Sequence, residues 1–236
     1  MHTISPTNWQ RLVEANRIGV ENGWAAPGVF GTGIGPDYRP GGLLYVGKSA
    51  GPLSDAVGSC NDQLMSSQAS TRWMIERRNR SAFWQFVDRL DPTRRSIAWT
   101  NICKMDVKGG GKPPSGKAWL DIKDACIAAL REEIAELAPR VTVFAISGAY
   151  RREVKAMLVS LGYAPFPAPI NNDGWTAIYR GDKGQVAVTT RHPQGWPNSD
   201  RDQVINLVRS MLSPTPTYQA IPAPVVSKEF AIRRPL

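Results

Sequence analysis

Asn101 and His192 are side chains able to carry chemistry, and each stands at or just past the end of a short apolar run. An Asn amide carries a donor and an acceptor side by side. An imidazole aimed at an oxygen that gains charge in a transition state stabilises that charge. A third apolar run, Leu43–Val46, leads into Gly47-Lys48-Ser49-Ala50-Gly51-Pro52. Gly42 to Ser49 matches the phosphate-loop string G-x-x-x-x-G-K-[ST], which would make Lys48 and Ser49 the nucleotide-binding pair of a phosphotransferase. In a phosphate loop, however, the strand precedes the first glycine, whereas here the strand-like residues Leu43-Leu44-Tyr45-Val46 lie between the glycines. A helix must also open at the Lys-Ser pair to aim its amides at phosphate, and Gly51-Pro52 follows almost at once.

The order of these features resembles the uracil-DNA glycosylase superfamily. In that family a strand-terminal G-x-x-P-G-type turn, a strand-terminal Asn and a late H-P-S-type loop meet in one pocket. The counterparts here are Gly47–Pro52, Asn101 within Trp99-Thr100-Asn101-Ile102-Cys103, and His192-Pro193-Gln194 with Asn198. Ile146-Ser147-Gly148-Ala149-Tyr150 looks like the family's glycine-serine loop after the third strand. The resemblance follows the order of elements from Leu43 to Leu212 and is weak outside the motifs.

The resemblance implies a DNA repair enzyme that flips uracil out of the duplex and hydrolyses its N-glycosidic bond. Asn101 would read uracil O4 and N3–H. His192 would donate to the base oxygen that gains charge, and the backbone amides of Gly47 and Lys48 would hold the base. Ser147 and Gly148 would touch DNA, and Gln194-Gly195-Trp196 would press the minor groove, with Gln194 or Trp196 as a wedge; Trp196 equally suits a packing aromatic. It further implies a monomer needing neither metal nor cofactor, with uracil-containing DNA as its partner.

The chain departs from the family at the first motif, where Asp, Glu or Asn usually orients water or stabilises the sugar cation. Here Ser49 or Ala50 occupies that place. A serine positions water but supplies no negative charge at neutral pH; Asp55, or Asp106 after the second strand, is the expected compensation. Gln194 stands where Ser is usual. The aromatic that stacks on the base has Trp73, Phe83 and Trp84 as candidates, with Asn61 near the place simple spacing gives. The missing acid also motivates an alternative, a catalytically inactive or product-retaining DNA-binding relative.

The elements that must position these residues follow from patterning. Leu43–Val46, Ile97–Asn101, Val141–Ile146 and Val186–Thr190 are short apolar runs that alternate with helical stretches, the pattern of a parallel sheet covered on both faces. The expected fold is a three-layer α/β/α sandwich around a four-stranded, mainly parallel sheet. Ser5 and Pro6 open a first helix, followed by a Gly/Pro-rich lead-in to residue 40. Ser81 opens a helix carrying Phe83, Phe86, Val87 and Leu90. Residues 117–138 form the clearest helix, striped by Leu120, Ile127, Leu130, Ile134 and Leu137. Trp175–Tyr179 reads as an edge strand, and Ser199 with Asp202 as a capping box for the last helix. The division is 1–40 lead-in, 41–212 glycosylase-like α/β domain, and 213–236 Pro-rich tail.

The chain carries a net charge of +9 and a pI near 9.7, which favours a polyanionic partner. Arg72, Arg77, Arg78 and Arg80 beside Trp73 suit either a backbone-tracking surface or a solvated helix face. Lys108 and Lys112 lie in a glycine-rich loop that could touch phosphates. Cys60, Cys103 and Cys126 are widely spaced, which is neither a disulfide framework nor a metal set and suits reduced, buried thiols of a cytoplasmic protein. The start of the chain lacks the pattern of a signal peptide, and no apolar run is long enough to span a bilayer.

Overall fold

The structure, a computed structural model, describes residues 2–49, 61–76, 81–108, 114–146, 148, 150–167 and 175–213. In chain order these give α1 (Pro6–Glu21), β1 (Gly33–Ile34), β2 (Leu43–Ser49), α2 (Gln63–Glu76), α3 (Ala82–Leu90) and β3 (Ile97–Cys103). Then come α4 (Gly116–Leu137), β4 (Val141–Ala145), α5 (Arg151–Ser160), β5 (Ala164–Phe166), β6 (Ala177–Arg180), β7 (Val186–Thr190) and α6 (Asn198–Leu212).

The strands form one mixed, mostly parallel sheet in the order β1-β3-β2-β4-β7-β6-β5. The four expected strands are its parallel centre, β3-β2-β4-β7. Their residues are buried nearly throughout, as a strand covered on both faces requires. The expected count of four strands is corrected to seven among the described residues, because three antiparallel strands extend the edges. β1 comes from the lead-in and pairs with β3. β6 pairs with β7, and β5 pairs with β6, so the expected edge strand at 175–179 is one position inside the edge. Two- to four-residue strands of this kind carry too little hydrophobic alternation to be recognised in the sequence.

Alternate side chains of the central strands feed two cores. Leu44, Val46, Ala98, Ile102, Phe144 and Ala187 meet α1, α4 and α5 on one face. Leu43, Tyr45, Ile97, Trp99, Val143 and Val188 meet α2, α3 and α6 on the other. Helices therefore cover both faces. Ser5 caps α1, its hydroxyl accepting the Asn8 N–H at 3.4 Å, and Pro6 takes the first turn. The Ser5 backbone N–H and hydroxyl both donate to Glu132 at 2.8 and 2.9 Å, which fastens α1 to α4.

Two helix details differ from expectation. On α4, Leu120 is exposed, and Trp119, Ile122 and Cys126 join Leu130, Ile134 and Leu137 in the core. The buried face of α4 is thus rotated from the expected stripe, since a helix 22 residues long offers several apolar rows. Ser199 lies inside α6, which starts one residue after Pro197 and has no side-chain cap. Among the described residues no helix is long and apolar enough to cross a membrane.

Candidate functional site

β2 and β3 run further than their apolar cores suggest. Both continue to Ser49 and Cys103, with Gly47 paired to Asn101 and Ser49 to Cys103. Gly47, Lys48 and Ser49, expected in the turn, are strand residues, and Asn101 sits two residues before the strand end. Residues 43–49 being strand also removes the loop that a phosphate-binding role for Lys48 and Ser49 would need.

Asn101 is buried on the α3 side of the sheet. A Cβ on Gly47 would overlap the Asn101 carboxamide oxygen and would lie 3.2 Å from two ring carbons of Phe83. Glycine at 47 therefore leaves the space that the Asn101 carboxamide oxygen occupies beside β2. The Asn101 Nδ2 is fully buried and has no hydrogen-bond partner among the described residues. An unpaired buried amide donor costs free energy, and a ligand that pairs with it is one explanation for its retention.

Phe83, in the first turn of α3, forms the adjoining wall. Its ring sits 4.5 Å from that of Tyr45 beneath it and 5.8 Å from the His192 imidazole, nearly parallel to the latter at 24°. Of the three candidate aromatics, Phe83 is the one in contact with this site. Trp84 is buried against Trp99, and Trp73 stacks on Trp99 as well, so both serve the core behind it. Tyr45 was legible only as an interior strand residue; it is wholly buried and props Phe83 from below.

His192 follows the end of β7, in the segment before α6. The Gln194 backbone N–H donates to His192 Nδ1 at 3.3 Å. Nδ1 is therefore the acceptor, and a neutral ring carries its hydrogen on Nε2. Burial, and then the neighbouring Lys48 charge, push the His192 pKa down to about 4. The ring is a neutral hydrogen-bond donor at pH 7. Burial also holds the Lys48 amine below the ordinary lysine range.

Gly47, Asn101 and His192 thus gather around Phe83, with Lys48 close enough to His192 for its charge to be felt. Ser49 is half-buried at the end of β2. Gly148 lies exposed past β4, and Gln194 and Gly195 are exposed past His192. Of the two readings of Trp196, wedge or packing aromatic, its place in the structure is that of the second. It is buried, with its ring parallel to Phe86 at 6.4 Å, and belongs to the core on the α3–α6 face. A ring held there cannot enter a base stack, which leaves Gln194 as the exposed side chain of that segment. Asp106 is buried beyond β3, its carbonyl accepting the Ala26 N–H at 2.9 Å.

Asp55, Ser147, Cys60, Arg77, Arg78, Arg80 and Lys112 lie outside the described residues. Among the described residues, no group of three or more His, Cys, Asp or Glu side chains is placed to hold a metal ion. The chain matches no protein-family model and no curated protein.

Proposed function

We propose that this chain is a uracil-DNA glycosylase-like enzyme that removes uracil from DNA by base flipping. One observation carries the proposal. A buried, unpartnered Asn101 amide and a neutral His192 donor meet around one aromatic wall, Phe83, at the carboxyl end of a parallel sheet. Ligands of open α/β sheets bind at that end. The Asn101 amide supplies what is needed to read the O4 and N3–H edge of a flipped uracil. The His192 Nε2–H supplies a donor to the base oxygen that becomes anionic as the glycosidic bond breaks. Gly47 lies beside them in β2, where the pairing with β3 takes up strand amides expected to hold the base, and Phe83 offers the base a ring face. The helices on both faces of the sheet support the three-layer α/β/α arrangement of that family.

The test is release of uracil from an oligonucleotide, read as abasic sites, with Asn101→Ala and His192→Ala beside the parent chain. Abasic sites formed by the parent and lost in both variants support the proposal. Their absence with the parent chain overturns it.

A second reading rests on a specific feature, the lack of an acid at Ser49. A site that holds the flipped base without activating water would bind uracil-containing DNA more tightly than matched thymine DNA and leave it intact. Abasic-site formation by the parent chain distinguishes the two. In an active enzyme, separate replacement of Ser49, Asp55 and Asp106 then finds the residue that positions water, and unchanged turnover in all three rules them out.

A further inference from the structure

Past the end of β7, next to His192 in the chain, two arginines from distant parts of the sequence converge on one indole. Arg151 opens α5, and Arg191 directly precedes His192. The guanidinium of Arg191 lies 5.4 Å from the centroid of the Trp175 ring and that of Arg151 lies 6.0 Å from it. Trp175 is itself fixed from two sides. Gly148 approaches it so closely that a Cβ there would sit 3.1 Å from the six-membered ring. The next residue, Thr176, meets Thr190 at the end of β7 through their hydroxyls at 3.3 Å.

The geometry points to an Arg151–Trp175–Arg191 clamp that binds the phosphodiester backbone flanking the nucleotide whose base enters the pocket at Asn101 and His192. This rests on the proposed base pocket and extends it to the strand that carries the base. A base held at His192 leaves its sugar and phosphates at the mouth, and Arg191 is one residue from His192. Guanidinium groups keep their charge at any working pH and meet phosphate oxygens with paired N–H donors. Contact with the indole face attracts a guanidinium and holds its charge close to the ring. The two guanidiniums can be no further apart than the sum of their distances to the ring, so one strand's neighbouring phosphates can reach both. The net charge of +9 fits a polyanion in this place.

The experiment measures binding to a labelled single-stranded oligonucleotide without uracil, as a function of salt, for the parent chain, Arg151→Gln, Arg191→Gln, the double variant and Arg152→Gln. Arg152 is the exposed neighbour of Arg151 and serves as a control for general charge. Thermal melting checks that each variant is folded. Loss of two phosphate contacts lowers the slope of log Kobs against log salt by about 1.4 on a single strand. That reduction in the double variant, with roughly half in each single and little in Arg152→Gln, supports the clamp. An unchanged slope in the double variant, or an equal loss in Arg152→Gln, overturns it. Trp175→Ala, which keeps both charges, is expected to weaken binding several-fold, and parental affinity would show that the indole organises nothing. Because no uracil is present, these results stand apart from base release. A chain that shows the clamp but releases no uracil contradicts the proposed enzyme alone, and one that releases uracil with an unchanged slope contradicts the clamp alone.

Discussion

Gly47 and Asn101 face each other across the parallel β2–β3 pair so closely that a methyl group on Gly47 would overlap the Asn101 carboxamide oxygen. The glycine is a spacing device between two strands, and its φ is not in the positive region. Gly47→Ala must push the Asn101 amide or the Phe83 ring aside. Overpacking of this kind costs about 1–3 kcal/mol. Urea denaturation should show that loss. Uracil release should fall far more steeply than stability, because the displaced groups are those proposed to bind the base. Equal activity in Gly47→Ala would show that the Asn101 amide plays no part at this site.

The Asn101 amide itself should show stability and function pulling apart. Its Nδ2 has no partner among the described residues, so a leucine of similar size removes an unsatisfied donor rather than a hydrogen bond. Asn101→Leu is expected to melt at the same temperature as the parent or higher. Uracil release is expected to drop on the order of 100-fold or more, the scale for losing a positioned polar group in an active site. A large fall in melting temperature would identify Asn101 as a structural residue.

How far these relationships were legible differs from residue to residue. Leu43-Leu44-Tyr45-Val46 and Val186–Thr190 announce buried strands because apolar residues fill both faces, and the parallel centre of the sheet follows from them. Gly47, Lys48 and Ser49 look like a turn because glycine and polar residues seldom continue a strand. They remain paired because β3 runs alongside to Cys103. The Gly47–Asn101 contact depends on register between strands 54 positions apart, which no local pattern encodes. Trp196 shows a choice that only the fold decides. A tryptophan beside His192 invites a role at the surface, but the turn before α6 folds its ring onto Phe86. The Trp175 pairing with Arg151 and Arg191 joins residues from three separate segments of the chain and has no signature in any one of them.

His192 gives a pH prediction whose sign follows from its pKa of about 4. In the unfolded chain an imidazole titrates near 6.5. Between those values the unfolded chain binds a proton that the folded chain refuses, so stability rises with pH across this window. The contribution of neutral His192 is whole above about 6.5 and is lost as the pH falls toward about 4. The chain has two histidines, so imidazole NMR with His2→Gln for assignment can follow His192 directly. It should stay neutral, with its hydrogen on Nε2, down to about pH 5. Lys48→Met should raise its midpoint while leaving it below 6.5, because burial is the larger cause and Lys48 the smaller. A parent midpoint at or above 6.5 would contradict the buried neutral donor.

On the opposite face of β3 a wholly buried ion pair holds the strand that carries Asn101. Lys104 Nζ donates to Glu133 Oε2 and to the Thr100 hydroxyl, both at 2.5 Å, and Thr100 donates to Glu133 at 3.0 Å. Thr32 donates to the other carboxylate oxygen, so the lead-in, β3 and α4 share one polar knot. Both charged side chains are fully inaccessible to water. Removing one leaves the other charged and unpaired in the core, which costs about 3–5 kcal/mol, whereas replacing both by apolar groups is far milder. Lys104→Met and Glu133→Leu should each lower the urea midpoint strongly, and the double variant should recover much of the loss. The double-mutant cycle measures that coupling. Simple additivity of the two losses would show that the pair does not act as a unit beneath Asn101.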